Sequence, residues 1–287
     1  MSVSGFTFVR NAIKYDYPVK EAIMSVLPLC DSFIVAVGDS EDATRELIEA
    51  IPSDKIKIID TLWDDSLKRS GRVLAVETDK AYAALPPNID WAIYVQADEV
   101  VHEDDLETIR TAMEYHKDNP QVEGLLFSYL HFYGSYDYIG DARKWYPKEV
   151  RVIRKRNDIQ SYRDAQGFRK GEAKLKVVPI DARIFHYGWV KPPHKQADKR
   201  KYFESLYHPV NPELEAITEW DYTDSTRLKR FEGTHPQEMQ ERIKRLNWTF
   251  HYDPAKAKYT AKERILAFFE GKLHRKLFEF RNYQILK

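Results

Sequence analysis

Short apolar runs alternate with segments of helical periodicity through the first half of the chain. The apolar runs predict strands at residues 5–10, 32–37, 55–60 and 91–95. Apolar residues at helical spacing predict helices near residues 19–27, 45–50, 72–84 and 104–116. Strands that alternate with helices in this way indicate an α/β fold, with a mostly parallel central sheet and flanking helices.

The second half of the chain has a less regular pattern. Strands are predicted at residues 125–133, 150–154 and 177–186, and their directions are expected to be mixed. Residues 190–235 are rich in proline, charge and aromatic side chains but have weak periodicity, so no architecture is predicted there. A helix start is predicted at 233–238, where Gly-Thr-His-Pro is followed by Gln-Glu.

Two carboxylates follow the predicted strand at 91–95. Parallel sheets bind ligands outside the carboxyl ends of their strands, and residues 96–99 read Gln-Ala-Asp-Glu at such an end. Carboxylate oxygens suit Mg²⁺ or Mn²⁺, which share their remaining coordination positions with phosphate and water. The alternative is that Asp98 and Glu99 cap the helix that begins near Asp104.

The composition narrows the classes of function. Lys plus Arg number 45 and Asp plus Glu number 45, so no overall field would recruit nucleic acid. The single Cys30 cannot form an internal disulfide and is expected to be a small, buried apolar side chain. No apolar run approaches the roughly eighteen residues of a membrane span, and the N-terminus has no signal-type pattern. We therefore expect a cytoplasmic location.

Several segments together resemble family 2 glycosyltransferases. Arg10-Asn11 and the acidic turn within 31–44 are similar to the opening of that family, and 63–66 with 90–99 looks like its Asp-x-Asp region. Residues 151–154 (Arg-Val-Ile-Arg) and 186–189 (His-Tyr-Gly-Trp) resemble its downstream blocks. The resemblance covers roughly residues 4–190.

This resemblance implies a GT-A fold, in which a Rossmann-like donor half precedes an acceptor half. It implies a catalytic domain at 1–190, with a nucleotide-sugar half at 1–123 and an acceptor half at 124–190, and we expect a largely helical extension at 191–287. It also implies an inverting, metal-assisted transfer of a hexose or related sugar. The donor would be UDP- or GDP-linked, and the acceptor would be a saccharide or lipid-linked saccharide.

The resemblance also assigns roles to particular side chains. Asp98 matches the final metal-binding residue of the Asp-x-Asp motif. Asp42 matches an acidic contact to the base and ribose, with Asp39 beside it as a substitute contact. His186 falls where such enzymes supply a histidine to the metal or the diphosphate.

One departure from the family pattern bears on the metal. Gln96 replaces the first Asp of the motif and is a poor ligand for a hard cation. Binding of Mn²⁺ or Mg²⁺ would then depend on Asp98, Glu99 and His186 together. Apart from the resemblance, a histidine in an apolar run such as Ile-Phe-His-Tyr is often a buried, hydrogen-bonded core residue, and both interpretations of His186 remain open.

An inverting transfer needs a carboxylate that accepts the proton of the acceptor hydroxyl. Asp164 is the first candidate, because its turn follows the strand at 150–154 and is expected to face the donor; Asp181 and Glu99 are alternatives. The competing interpretation is a surface aspartate that pairs with a neighbouring arginine, Arg163 or Arg169.

Two further features suggest substrate contacts. Arg72, at the start of a predicted helix, is a candidate for the diphosphate, although charges on such a helix often face solvent. Tyr133 and Trp145 belong to an aromatic loop that could stack on an acceptor sugar. The alternative for the loop is a satellite core beneath a long connection.

The C-terminal segment at 255–287 combines an apolar stripe with many basic residues. Such a helix can lie on an anionic membrane, which predicts peripheral contact at the inner face. The alternative is packing on the catalytic domain or on a partner subunit.

Two other functions are alternatives to glycosyl transfer. A nucleotidyltransferase would have a glycine-rich basic loop after the first strand, but residues 9–13 contain no glycine. The second alternative is a catalytically silent relative that binds a glycan or a partner. Gln96, in place of the first Asp of the motif, leaves this alternative open.

Overall fold

The computed structural model of the chain describes residues 1–67, 71–208, 211–222, 227–253 and 281–286. The strands are β1 (Val3–Val9), β2 (Ser32–Gly38), β3 (Ile56–Thr61), β4 (Trp91–Tyr94), β5 (Glu99–Val101), β6 (Gly124–Tyr133), β7 (Tyr138–Gly140), β8 (Lys148–Ile153), β9 (Ile159–Tyr162), β10 (Gly167–Lys170), β11 (Ala173–Trp189), β12 (Leu228–Arg230) and β13 (Tyr283–Ile285). The α-helices are α1 (Val19–Val26), α2 (Thr44–Glu49), α3 (Arg72–Ala83), α4 (Leu106–His116), α5 (Pro193–Ser205), α6 (Pro212–Glu215) and α7 (Gln240–Lys244).

The first four strands form a parallel sheet in the order β3-β2-β1-β4. Helices α1, α2 and α3 connect these strands, as in successive βαβ units. The predicted α/β fold is confirmed, and every strand and helix predicted in this half is present close to its predicted bounds. The local hydrophobic period was sufficient because most of these elements bury an apolar face, and the edge strand β3 is partly buried.

Strand directions are mixed in the rest of the sheet, as predicted. β8 pairs antiparallel with both β4 and β6, and β6 then runs parallel to β11. The short β5 pairs antiparallel with β11 and sets Glu99 opposite His186. Because β5 follows β4 after a short turn, this pairing brings the carboxyl end of β4 beside β11.

Successive side chains along each strand point to opposite faces of the sheet, so the core has two layers. On β2, Phe33 and Val35 face a layer covered by α1 and α4, while Ile34 and Ala36 face a layer covered by α3. A parallel sheet buried on both faces gives the continuous apolar runs seen in the sequence. Cys30 is buried in the first layer, as expected.

The segment after residue 190 is only partly helical where it is described. Helices α5, α6 and α7 agree with the prediction of a helical extension, but β12 pairs with β7 and β13 extends the sheet beside β11. The predicted basic amphipathic helix falls mostly on residues 254–280, which lie outside the described residues. None of the helices that the structure describes is long and apolar enough to cross a membrane.

Candidate functional site

A cavity of about 350 Å³ opens at the carboxyl ends of β1 and β4. Its walls come from the end of β1, the turn after β4, the last part of β11 and one face of α5. The cavity brings together three side chains predicted for the site: Asp98, His186 and Asp164. This edge of the sheet is where α/β folds bind their ligands.

Asp98 lies at the floor of this cavity and is nearly buried. The ammonium of Lys199 donates to its Oδ2 at 3.0 Å and also to the carbonyl of Gly188 at 2.9 Å. Nε2 of His186 lies 3.6 Å from the same oxygen. Burial would raise the pKa of Asp98, but Lys199 and His186 hold that pKa well below its ordinary value. Asp98 is therefore ionised at neutral pH.

His186 is oriented by a second histidine behind it. Burial, together with His186, holds the pKa of His131 well below its ordinary value, so His131 is neutral. Its Nε2 donates a hydrogen bond to the carbonyl of Tyr146 at 2.9 Å, and its Nδ1 then accepts a hydrogen bond from Nδ1 of His186 at 3.2 Å. This assignment follows from the hydrogen-bond network and leaves Nε2 of His186 facing Asp98 and the cavity.

Glu99 has a structural use that differs from its predicted metal role. Its carboxylate receives Nε and Nη2 of Arg151 at 2.7 and 2.6 Å, and Tyr129 donates its hydroxyl to the same group. Both charged side chains are buried. Because both oxygens are occupied, Glu99 is not free to bind a cation or to act as a base. The alternative that it caps a helix is also wrong.

The turn that carries Asp164 is attached to the end of β4. The side-chain amide of Gln96 donates to the carbonyl of Ala165 at 3.0 Å. Arg163 and Ala165 have φ values of 57° and 61°, a left-handed conformation that is uncommon for such residues. Strained turns of this kind cluster at functional sites, and this one directs Asp164 into the cavity wall.

Asp164 accepts a hydrogen bond from the hydroxyl of Tyr207 at 2.8 Å. Arg169, one of the arginines considered as its partner, instead bonds Asn282. Arg72 lies in an adjoining cavity, which shares Asp164 and Gln166 with the first one. The two cavities therefore meet at the candidate base.

The two aspartates predicted to contact the nucleoside differ in position. Asp39 pairs with Arg10 at 2.9 Å. Arg10 lines the cavity, so Asp39 lies behind a residue of the cavity wall. Asp42 accepts from the backbone of Lys14 at 2.6 Å and from Thr44. Asp42 therefore stabilises the turn before α2, and the geometry does not support its predicted nucleoside contact.

Tyr133 and Trp145 do not line the cavity. Both are buried in an aromatic cluster with Tyr222 and Leu228, which corresponds to the satellite core considered as the alternative. Their large apolar area is more favourably buried in this cluster than exposed in a loop. The loop contributes Tyr146 to the cavity instead.

Helix α5 supplies most of the functional groups that sequence reasoning missed. Lys199, Arg200 and Tyr202 line the cavity, although no element was predicted there. Three polar atoms of the lining are buried without a partner among the described residues: Nε of Arg200, Nε1 of Trp63 and Oε1 of Gln196. Buried polar groups are almost always hydrogen-bonded, so these atoms indicate a polar ligand.

The donor set at Asp98 does not fit a resident divalent cation. Glu99 is engaged by Arg151, and Gln96 turns its amide to a backbone carbonyl. The carboxylate of Asp98 already accepts a hydrogen bond from the ammonium of Lys199. A divalent ion about 4 Å from that ammonium would be repelled by about 8 kcal/mol at an effective dielectric constant of about 20. No cluster of three or more metal-binding side chains is found within the described ranges.

Protein-family models and curated protein sequences gave no match to this chain. Similar solved structures include mannosyl-3-phosphoglycerate synthase from Rubrobacter xylanophilus, at 18% identity and a TM-score of 0.31, covering 46% of this chain and 41% of that chain. Glucosyl-3-phosphoglycerate synthase from Mycobacterium tuberculosis, in complex with Mn²⁺, uridine diphosphate and phosphoglyceric acid, has 15% identity and a TM-score of 0.30, covering 46% and 43%.

A third similar structure is 4-diphosphocytidyl-2C-methyl-D-erythritol synthase from Anaerococcus prevotii. It has 12% identity and a TM-score of 0.40, and the match covers 66% of this chain and 89% of that chain. The matches to the two phosphoglycerate synthases span less than half of the length of those proteins.

Proposed function

We propose that the chain is an inverting glycosyltransferase that moves a sugar from a nucleotide-diphosphate donor to an acceptor hydroxyl. One observation carries the proposal: Asp98, at the carboxyl end of β4, shares a cavity with a second carboxylate and with basic side chains from β1 and α5. Cations and unpaired donors suit a diphosphate, and a carboxylate in the cavity wall suits proton removal from a hydroxyl.

The donor half of the cavity has the groups that a nucleotide sugar requires. Arg10, Lys199 and Arg200 supply positive charge, and Trp63 and Phe8 supply aromatic surface. The guanidinium of Arg10 lies 5.4 Å from the centre of the Trp63 ring, which fixes both groups at the rim. We place the nucleoside of a UDP- or GDP-linked donor at this rim, beside Asp39, and the diphosphate deeper, beside α5.

The chemistry is a single displacement at the anomeric carbon. The acceptor oxygen forms a bond to that carbon on the face opposite the leaving group. The bond between the carbon and the phosphate oxygen breaks, and the nucleoside diphosphate leaves with the electron pair. Asp164 takes the acceptor proton, so the product is a glycoside of inverted configuration and the enzyme is left protonated at that carboxylate.

The acceptor reaches Asp164 from the adjoining cavity. That cavity contains Arg72 and opens to solvent, so it suits a saccharide or the head of a lipid-linked saccharide. A lipid-linked acceptor would place the protein at the inner face of the membrane. The segment that would make this contact, within 255–287, lies mostly outside the described residues.

Turnover with a panel of nucleotide sugars tests the proposal. The wild-type protein is expected to release nucleoside diphosphate from at least one donor, and Asp164→Asn is expected to slow release by about 10²-fold or more. Asp158→Asn is the matched control, because Asp158 is an exposed turn aspartate that pairs with Arg156. No release from any donor would refute transferase activity. Release of pyrophosphate from a nucleoside triphosphate and a sugar phosphate would identify a nucleotidyltransferase instead.

A further inference from the structure

Lys199 occupies the position beside Asp98 where the family resemblance expects a metal ion. We infer that Lys199, with Arg200 next to it on α5, binds the diphosphate of the donor and that the site works without a divalent cation. This inference rests on the proposed function and names the groups that stabilise its leaving group.

The two hydrogen bonds that Lys199 makes leave its ammonium with one further donor. An ammonium has three donors, and here Asp98 and the carbonyl of Gly188 accept two of them. Lys199 is nearly buried yet lines the cavity. Its ammonium nitrogen lies over the rings of Tyr17 and Phe203, at 5.0 and 5.4 Å from the ring centres. The charge is therefore held in a fixed place, as a bound metal would be.

The neighbouring donors extend this positive surface. Arg200 lies between the rings of Trp189 and Trp220, at 5.5 Å from each ring centre, and its Nε is buried without a partner among the described residues. Nε1 of Trp63 is also buried without a partner among the described residues. Both residues lie in the cavity lining and both nitrogens donate hydrogen bonds, whereas the oxygens of an ionised diphosphate only accept them. The unpaired donors therefore match a diphosphate.

Fixed positive charge is most useful where negative charge develops. When the glycosidic bond breaks, the departing diphosphate gains an electron pair, and preorganised donors stabilise that charge without rearranging. Asp98 then acts as a positioning residue, because its carboxylate holds the ammonium. Gly188 completes this arrangement, since a Cβ there would lie 2.6 Å from Oδ2 of Asp98.

Calorimetric titration of UDP and GDP in two buffers tests the inference. One buffer contains EDTA and the other contains Mn²⁺. The wild-type protein is expected to bind the same nucleotide with similar affinity in both. Lys199→Met is expected to weaken binding in EDTA by about tenfold or more, the value of a charge-assisted hydrogen bond. Lys201→Met, on the same helix but outside the cavity lining, is expected to bind as wild type does.

A double variant guards against a folding defect. Lys199→Met alone leaves the buried Asp98 without its cation, whereas Lys199→Met with Asp98→Asn removes both charges. The double variant is expected to melt near the wild-type temperature and still to bind nucleotide weakly in EDTA. Two results would overturn the inference while leaving the transferase proposal intact. One is binding by wild type only with Mn²⁺, and the other is wild-type affinity in EDTA of both Lys199→Met and the double variant. Failure of wild type to bind in either buffer would overturn both.

Discussion

Gln96 joins the end of β4 to the turn of the candidate base by donating its side-chain amide to the carbonyl of Ala165 at 3.0 Å. The family motif has an aspartate at this position. Here the residue has a different use, because an amide can donate to a carbonyl and a carboxylate cannot. The substitution therefore positions Asp164 and does not by itself indicate a silent protein.

Introducing the aspartate of the motif that the sequence resembles is expected to damage the site. Gln96→Asp would place a negative charge against the carbonyl of Ala165 and release the strained turn around Asp164. We expect kcat to fall by about tenfold or more, the effect of a misplaced base, and Mn²⁺ not to restore it. Steady-state kinetics on the donor identified by turnover measures this effect.

Gln121→Ala is the control for this substitution, since Gln121 is exposed and distant from the cavity. A gain of activity by Gln96→Asp in Mn²⁺ would show that the position serves a metal and would contradict the positioning role.

The pair of Glu99 and Arg151 is expected to stabilise the fold. Both are buried and joined by two hydrogen bonds, so removing the charge of Glu99 leaves the buried Arg151 without its closest ionic partner. Glu99→Gln is therefore expected to lower the free energy of unfolding by about 3 kcal/mol or more. Urea denaturation measures the change, with Asp158→Asn as the exposed-pair control, for which a loss below about 1 kcal/mol is expected. A loss for Glu99→Gln no larger than this control would contradict the account.

The buried Glu149 is expected to make the free energy of unfolding depend on pH. Burial raises its pKa to about 8, and the negative charge of Glu99 adds to the rise although Arg151 lies 3.9 Å away. The folded protein thus retains a proton that the unfolded chain releases near pH 4.5, its ordinary pKa. The stabilisation is complete below that pH and is lost as the pH rises through about 8.

Unfolding free energies of wild type and Glu149→Gln, measured between about pH 5 and 8, test this dependence. The wild type is expected to lose stability relative to the variant by up to about 1.4 kcal/mol per pH unit. Glu172→Gln, at an exposed glutamate, should follow wild type. Parallel curves for wild type and Glu149→Gln would mean that Glu149 is ionised in the fold.

Two tryptophans provide a matched test of the unpaired donors. Nε1 of Trp63 and Nε1 of Trp220 are both buried without a partner among the described residues, but only Trp63 lines the cavity. Trp63→Phe is expected to weaken nucleotide binding by about tenfold, because it removes a donor to a charged ligand. Trp220→Phe keeps an aromatic ring beside Arg200 and is expected to leave the affinity unchanged. Equal effects of the two substitutions would show that Trp63 donates nothing to the ligand.

The sequence predicted the parallel half of the fold well because its signals are local. The runs at β1, β2 and β4 bury both faces, and the partly buried edge strand β3 keeps an apolar run, so each is visible without knowledge of its neighbours. Helix α5 gave no such signal. Its buried positions include Gln196 and Lys199, which are polar because they face the cavity, and a hydrophobic period cannot reveal a helix whose inner face is functional.

The site was predicted only in part, because several of its contacts join residues that are distant in the sequence. Asp98, His186 and Asp164 do share a cavity, but their roles remain predictions. The partner of Glu99 could not be foreseen, because Arg151 reaches it through strand pairing between distant segments. Arg151 belongs to a segment with several basic residues and is nevertheless almost fully buried. Its basic neighbours gave no indication of this burial.

Calorimetric titration of a panel of nucleotide sugars tests most directly whether the cavity at Asp98 is a donor site. Wild type and Gly188→Ala would be compared after their melting temperatures are shown to agree. A Cβ at residue 188 would lie 2.5 Å from Nε2 of His186 and 2.6 Å from Oδ2 of Asp98, so it would displace both groups from the ligand. We predict that at least one nucleotide sugar binds wild type and that Gly188→Ala binds it far more weakly. Absence of binding by wild type, or equal binding by the two proteins, would contradict the account.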